Sequence, residues 1–197
     1  MSVYKLILKR RSIRKFKQAT VSSAILKKLV DAARLAPSGA NLQPLEYVVI
    51  DESDLCEEVF GVLQWAGYIS PDGTPQPGEK PTAYILVLAN KNIREDNYQW
   101  DVGAAMENMI LTALEEGVGS CWIGSINKPK LQKILNIPSN FIITSILALG
   151  YPDENPEIEV LKESCKYWKD AQKKIHVPKR ELEKIINFNK FPLNKEE

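Results

Sequence analysis

The chain has 197 residues, 44% of them hydrophobic and 26% charged, the proportions of one globular domain or one subunit of an oligomer. That excludes disordered, collagen-like and coiled-coil classes, and no apolar run approaches the roughly 18 residues a membrane helix needs. Net charge is +1, but the charge is unevenly spread. Residues 1–40 carry ten Lys/Arg against one acid, Asp31, and 161–197 carry ten against six, while 41–160 carry six against eighteen. Two basic ends that met in the fold would make an anion site, although charge alone favours the simpler reading, a solvated surface with ordinary salt bridges to the acidic middle. The opening, MSVYKLILKRRSIRKF, lacks the small-residue cleavage site of a secretory signal. Three cysteines without a C-x-x-C pair point to a reducing compartment, hence a cytoplasmic location. A single histidine, His176, leaves no room for a histidine-rich metal site. An enzyme of this composition would place its chemistry on a cofactor.

In chain order, residues 4–9 read as a short helix ending at Lys9-Arg10-Arg11. A helix follows over 22–36, with Ile25, Leu29, Ala32 and Ala36 on one face and Ser22 or Thr20 as its cap. Pro37 stops it, and PSGANLQP is a loop. Residues 45–50 read as a strand, 53–65 as a weak helix, 70–81 as a proline-rich surface loop and 82–90 as a buried strand. The strongest helix, 98–116, carries an apolar stripe of Val102, Ala105, Met106, Met109, Ile110, Ala113 and Leu114, with Gly117 as its C-terminal cap. VGSCWIG is a short strand entering a loop. A helix at 128–136 opens with Pro129, 141–150 is a buried strand, and a short helix is expected near 179–187. Apolar strands alternating with helices suggest a mixed sheet in a single domain over 1–197.

Two apparent motifs fail. Gly73–Lys80 lacks the Gly-Lys-Ser/Thr ending of a phosphate loop and precedes a strand, where such a loop must follow one. Gly117-Val118-Gly119 with Gly124 follows a helix and does not fit the dinucleotide fingerprint. Cys121, in an apolar strand beside Trp122, reads as a small buried hydrophobe.

Four segments carry chemistry. Arg10-Arg11-Ser12-Ile13-Arg14-Lys15-Phe16 sets guanidinium groups around a hydroxyl, which suits a phosphate and a planar polar ring. Nucleic acid could use the same cations, but the acidic middle and the lack of any DNA-binding pattern argue against it. Pro37-Ser38-Gly39-Ala40-Asn41-Leu42-Gln43-Pro44 offers small side chains, backbone N–H groups and two amides. Trp122-Ile123-Gly124-Ser125 and His176-Val177-Pro178-Lys179-Arg180 complete the set.

RRSIRKF, PSGANLQP, GVGSCWIGS, ALGYP and a late PKR, in this order over residues 3–187, resemble the FMN-dependent nitroreductase family. The resemblance implies an α+β fold, a mainly antiparallel central sheet wrapped by helices, and a homodimer with FMN at each subunit interface. It implies reduction of nitroaromatics, quinones or related small-molecule acceptors at the expense of NAD(P)H, by a ping-pong hydride mechanism. Arg10 and Ser12, with Arg11 beside them, would hold the phosphate and ribityl chain, and Arg14 would sit at the N1/O2 edge of the ring. Pro37, Ser38, Gly39, Asn41 and Gln43 would come from the partner subunit. Ile123, Gly124 and Ser125 would line the ring's inner edge, and Lys179 and Arg180 would complete the phosphate site. Flavin N5 would carry the hydride, with Arg14 assisting electrostatically, so no side chain is assigned as a catalytic acid or base and no metal is expected. Neither nucleic acid nor a membrane is an expected partner. A flavin-storing or flavin-sensing protein, or a dehalogenase or oxidase variant of the same fold, would share these residues. Of the aromatics at 60–100, Trp65, Tyr68, Tyr84, Tyr98 and Trp100 read as packing residues before substrate contacts. The long apolar stretches 102–114 and 141–149 are a second, weaker ground for a dimer.

Overall fold

A computed structural model of the protein describes residues 1–191; the charged residues Lys195, Glu196 and Glu197 counted above, and the end of the expected 1–197 domain, lie outside them. The chain forms two compact units, Met1–Asn155 and Pro156–Glu197.

In the first unit, three of the helices start where short polar side chains take up the free N–H groups of a first turn. Ser2 accepts from Lys5 N at the head of α1 (Val3–Lys9), Ser22 from Ile25 N at α2 (Ser23–Arg34), and Asn127 from Lys130 N at α5 (Lys128–Ile134), which has proline in its first turn. The remaining helices are α3 (Ser53–Phe60) and α4 (Gln99–Glu115). Gly117, at φ 74°, ends α4 as expected, and Val118 N–H reaches back to Ala113 O at 2.8 Å.

The strands are β1 (Phe16–Lys17), β2 (Leu45–Ile50), β3 (Ala83–Asn90), β4 (Gly119–Ile123) and β5 (Phe141–Pro152). They form one sheet in the order β1-β5-β3-β2, with β4 also paired to β5. Every one of these ladders is antiparallel. The mixed sheet suggested by alternation of strand and helix is therefore corrected. The antiparallel α+β arrangement implied by the family resemblance is what the chain adopts.

β3 is buried from Ala83 to Ala89 because both faces of the sheet are covered. Ala83, Ile85 and Val87 pack with α2 and α4, whereas Tyr84, Leu86 and Leu88 pack with α3, α5 and the 62–65 segment. The stripe of α2 is turned by one position from that expected: Leu26, Leu29 and Ala33 are buried, and Ile25 and Ala36 only partly. The apolar stretches of α4 and β5 need no second subunit. Met106, Met109, Ile146 and Leu147 are fully buried within this one chain, so they lend the dimer no support.

The second unit holds β6 (Glu157–Val160), β7 (Trp168–Lys169) and β8 (Ile175–Lys179) in a small sheet of order β6-β8-β7. β6 and β8 are parallel, β7 and β8 antiparallel. The helix expected near 179–187 is not formed. Lys179 closes β8, and only a 3-10 turn, Leu182–Lys184, follows. The β-branched Ile175 and Val177 and the missing N–H of Pro178 favour an extended chain here, and only three helical residues follow before Ile185.

Candidate functional site

The basic N-terminal segment follows directly from the end of α1. Arg10 caps that helix with extended backbone angles, φ −57° and ψ 126°. Residues 11–16 then run along the sheet. Ser12 bridges Ser120 of β4, and Ile13 N–H donates to Ser120 O at 2.9 Å. Ile13 and Phe16 are buried, whereas Ser12 and Arg14 are half-buried. The Arg14 N–H donates to the Glu154 carboxylate.

This register brings the first and third segments together. β4 ends at Ile123, which is buried, and hands over to exposed Gly124 and Ser125. Ser125 Oγ donates to Gln64 Oε1 at 2.9 Å, and Gln64 N–H donates to Ser125 O at 3.0 Å. A cavity of about 830 Å³ opens beside Ser125, lined also by Phe60, Gln64, Trp65 and Thr74. Cys121 is inert in this setting. Burial pushes its thiol up, and the nearby Arg14 charge, acting in the opposite direction, does not outweigh it.

Cation density is highest at Arg10 and Arg11. Arg10 stands 3.9 Å from Glu107, a long and half-exposed ion pair. Arg11 donates to the Arg10 carbonyl, while its buried Nε–H finds no acceptor among the described residues. Partial burial and the adjacent Arg10 charge both lower the Arg11 pKa, burial being the larger cause. Two crowded guanidiniums with an unfilled donor are the environment an anion relieves. The donor set therefore fits a phosphate.

The second segment is anchored at the first turn of α4. Ser38 and Gly39 both bond to buried Asp101, and Gln43 N–H donates to Ser38 Oγ at 2.9 Å. Ala40, Asn41 and Gln43 have φ of 51°, 55° and 51°, so the loop is sharply bent. A cleft of about 160 Å³ lies against it, lined by Pro37, Ser38, Gln43, Tyr47 and Asp101 among others. Sequence reasoning missed Asp101, although it had a signal. An acid stands four residues before Ala105 and eight before Met109, on the buried stripe of an apolar helix. Gln64, the partner of Ser125, carried no such signal.

Lys179 and Arg180 are exposed in the second unit, where Lys179 O accepts Leu161 N–H at 2.7 Å. Among the described residues neither side chain has an ion-pair partner. The five aromatics divide by burial. Tyr84 and Trp65 are core, Tyr98 packs partly against it, and Tyr68 and Trp100 are exposed. Among the described residues no cluster of three or more His, Cys, Asp or Glu is placed to hold a metal, and no helix is long and apolar enough to cross a membrane.

The sequence model of the nitroreductase family matches residues 7–151. The chain belongs to the nitroreductase family. That span includes three of the four segments above, leaving out the fourth, His176–Arg180. A protein of Archaeoglobus fulgidus provisionally named NADH dehydrogenase/NAD(P)H nitroreductase is 31% identical over 160 residues, covering 78% of this chain and 87% of its own. The iodotyrosine deiodinase of Nematostella vectensis is 26% identical over 183 residues, 79% of this chain and 69% of its own. Among solved structures, an FMN-dependent nitroreductase of Clostridium difficile R20291 superposes with a TM-score of 0.67 at 25% identity, over 94% of this chain and 98% of that one.

Proposed function

We propose that this nitroreductase-family protein is an FMN-dependent oxidoreductase. It would take a hydride from NAD(P)H and pass two electrons to a nitroaromatic, a quinone or a related acceptor in a ping-pong cycle. The observation that carries the reading is the Arg10–Arg11 pair. Two crowded guanidiniums, one with an unfilled buried donor, stand just before Ser12, which bridges Ser120 of β4, the strand that ends at Ile123. An FMN-dependent nitroreductase among the similar structures and an NAD(P)H nitroreductase among the relatives support the choice of cofactor and reductant.

FMN, when bound, supplies the hydride and electron-transfer chemistry. The chain's share is binding, orientation and charge. Arg10, Arg11 and Ser12 would hold the phosphate and ribityl end. Arg14, whose N–H is fixed on Glu154, would place positive charge at the N1/O2 edge. Backbone groups at Ile123, Gly124 and Ser125 would line the inner edge of the ring. Pro37, Ser38, Gly39, Asn41 and Gln43 would complete the site from the partner subunit of a homodimer. Lys179 and Arg180 would add charge at the phosphate, so that residues 1–197 would act as one FMN-binding domain. The cavity beside Ser125, with Phe60 and Trp65 in its wall, is where a planar acceptor would enter. A cytoplasmic location is part of the same reading.

The test is spectroscopic. Purified protein should show the absorption bands of bound flavin, bleach on anaerobic addition of NADH or NADPH, and recover on addition of a quinone. Protein that binds FMN and bleaches with dithionite, but responds to neither nicotinamide, would instead be a flavin-storing or flavin-sensing protein. The deiodinase relative favours one second reading, reductive dehalogenation, which halide release from an iodinated phenol by the reduced protein would establish.

A further inference from the structure

Asp101 is an acid where an apolar residue would be expected. It stands in the first turn of α4, and its side chain is only 5% exposed. A buried carboxylate is costly unless its oxygens are satisfied. Here both are satisfied, and chiefly by one loop. Oδ1 accepts the Gly39 N–H at 3.0 Å, and Oδ2 accepts the Ser38 hydroxyl at 3.2 Å. Arg94 supplies the countercharge, its NH1 lying 3.6 Å from Oδ2. The same guanidinium covers Gly39 so closely that a Cβ built there would stand 2.6 Å from NH1. Gly39 has no left-handed φ, and a methyl group there would have to push the Arg94 guanidinium aside. Ser38 relays the anchor onward, since its Oγ accepts the Gln43 N–H at 2.9 Å.

What this anchor holds is a strained shape. Ala40, Asn41 and Gln43 occupy the left-handed region, which non-glycine residues keep only where their surroundings impose it. Gln43 Nε2 also donates to Asn41 O, folding the two amide residues together. Asn41 and Gln43 are exposed, whereas the groups that fix them point inward.

We propose that Asp101, with Arg94, is the positioning residue of this site: it clamps Ser38 and Gly39 so that the bent loop presents Asn41 and Gln43 to the flavin. The proposal rests on the FMN reading above. Asp101 itself touches no cofactor in it and acts only through the loop.

The test uses Asp101→Asn, which keeps size but replaces one acceptor oxygen by a donor facing Ser38 and Arg94. In the apo protein, the Gly39 and Gln43 amides should exchange hydrogen at least about ten times faster than in wild type, with the amides of α4 unchanged. FMN should bind at least about tenfold more weakly. At saturating FMN the visible circular dichroism of the bound flavin should differ from wild type, which a loss of stability alone would not produce. Combined with Ser38→Ala, the affinity losses should be less than additive, because both act through one junction. If Asp101→Asn does not fold, Gly39→Ala must show the same weakening, since its methyl group would displace Arg94 from the loop side. Wild type that binds FMN, with Asp101→Asn or Gly39→Ala matching it in affinity and flavin dichroism, overturns the positioning role alone. Wild type that binds no FMN overturns the functional reading and this proposal with it.

Discussion

Ile13 lies flush on Gly119: a Cβ built at Gly119 would stand 3.0 Å from Ile13 Cγ1 and 3.1 Å from both its Cβ and its Cγ2. Gly119 is therefore what lets the basic segment lie along β4. Ile13 is buried and pinned by its backbone bond to Ser120, so it has little room to yield. Gly119→Ala should cost roughly 1–3 kcal/mol through overpacking. It should also lift Arg10–Arg14 from the sheet and weaken FMN binding. Thermal unfolding and flavin titration of the variant check both effects. Full stability with unchanged FMN affinity would show that the contact is not tight.

Much of the first unit was legible because its signals are local. Ser22 before an apolar stripe, Gly117 after one, and proline at the start of α5 each mark an end by a stated mechanism. The strand β3 was legible as buried but not as antiparallel, because a strand covered on both faces loses the alternation that would tell its partners apart. The small sheet of the second unit was missed. Glu157–Val160 and Trp168–Lys169 are too short and too polar to announce themselves, and Ile158 and Val160 are exposed. At the site, the spacing of Arg10 and Arg14 around a hydroxyl suggested an anion and a polar ring, whereas Gly39 and Gly124 were marked only by the family resemblance. Asp101 and Gln64 could not be assigned in that way, because their partners are 62 and 61 residues away in the chain.

Thiol reactivity follows from burial. The Cys56 thiol is pushed up to about 11, first by burial and then by the charges of Asp51 and Glu57, and it points at the carbonyls of Ile50 and Thr82. Cys121 is raised by burial as well, and Cys165 alone is exposed. Native protein should therefore react rapidly with Ellman's reagent at about one thiol per chain near pH 8, and denatured protein at all three. Cys165→Ser should remove the fast phase. Its persistence in that variant would mean that one of the buried thiols is accessible.

The second basic cluster tests the anion assignment. Lys179 and Arg180 are exposed and have no ion-pair partner among the described residues. If they neutralise the phosphate, Lys179→Ala with Arg180→Ala should weaken FMN by about a hundredfold or more, as the loss of two charge-assisted bonds worth about 1.5–3 kcal/mol each implies. Riboflavin, which lacks the phosphate, should bind almost as before. Isothermal titration with both flavins measures the difference. Equal losses would place the pair away from the phosphate.

The one histidine of the chain provides a pH-dependent element in the second unit. His176 stacks on Trp168, with ring centroids 4.3 Å apart and planes inclined by 13°. Its Nε2 lies 3.1 Å from Asp170 Oδ2, and its Nδ1 lies 3.5 Å from Glu159 Oε2. Glu159 in turn accepts the Trp168 indole N–H at 2.7 Å. The hydrogen bond from His176, and next the backbone N–H of Lys174, hold the Asp170 carboxyl below its ordinary value of 3.8. A carboxyl depressed on folding stabilises the folded state above its unfolded pKa. That contribution is present above about pH 4 and is lost as the pH falls through the folded value, below 3.8. Acid should therefore loosen β7 against β8 in that range, and Asp170→Asn should remove the dependence. Carbon NMR of the Asp170 carboxyl reads the titration directly, and the lone histidine gives one resolved ring proton signal that reports the Trp168 stack. His176→Ala should return Asp170 toward its ordinary range. An Asp170 that titrates at its ordinary position in the intact protein would refute the His176–Asp170 bond.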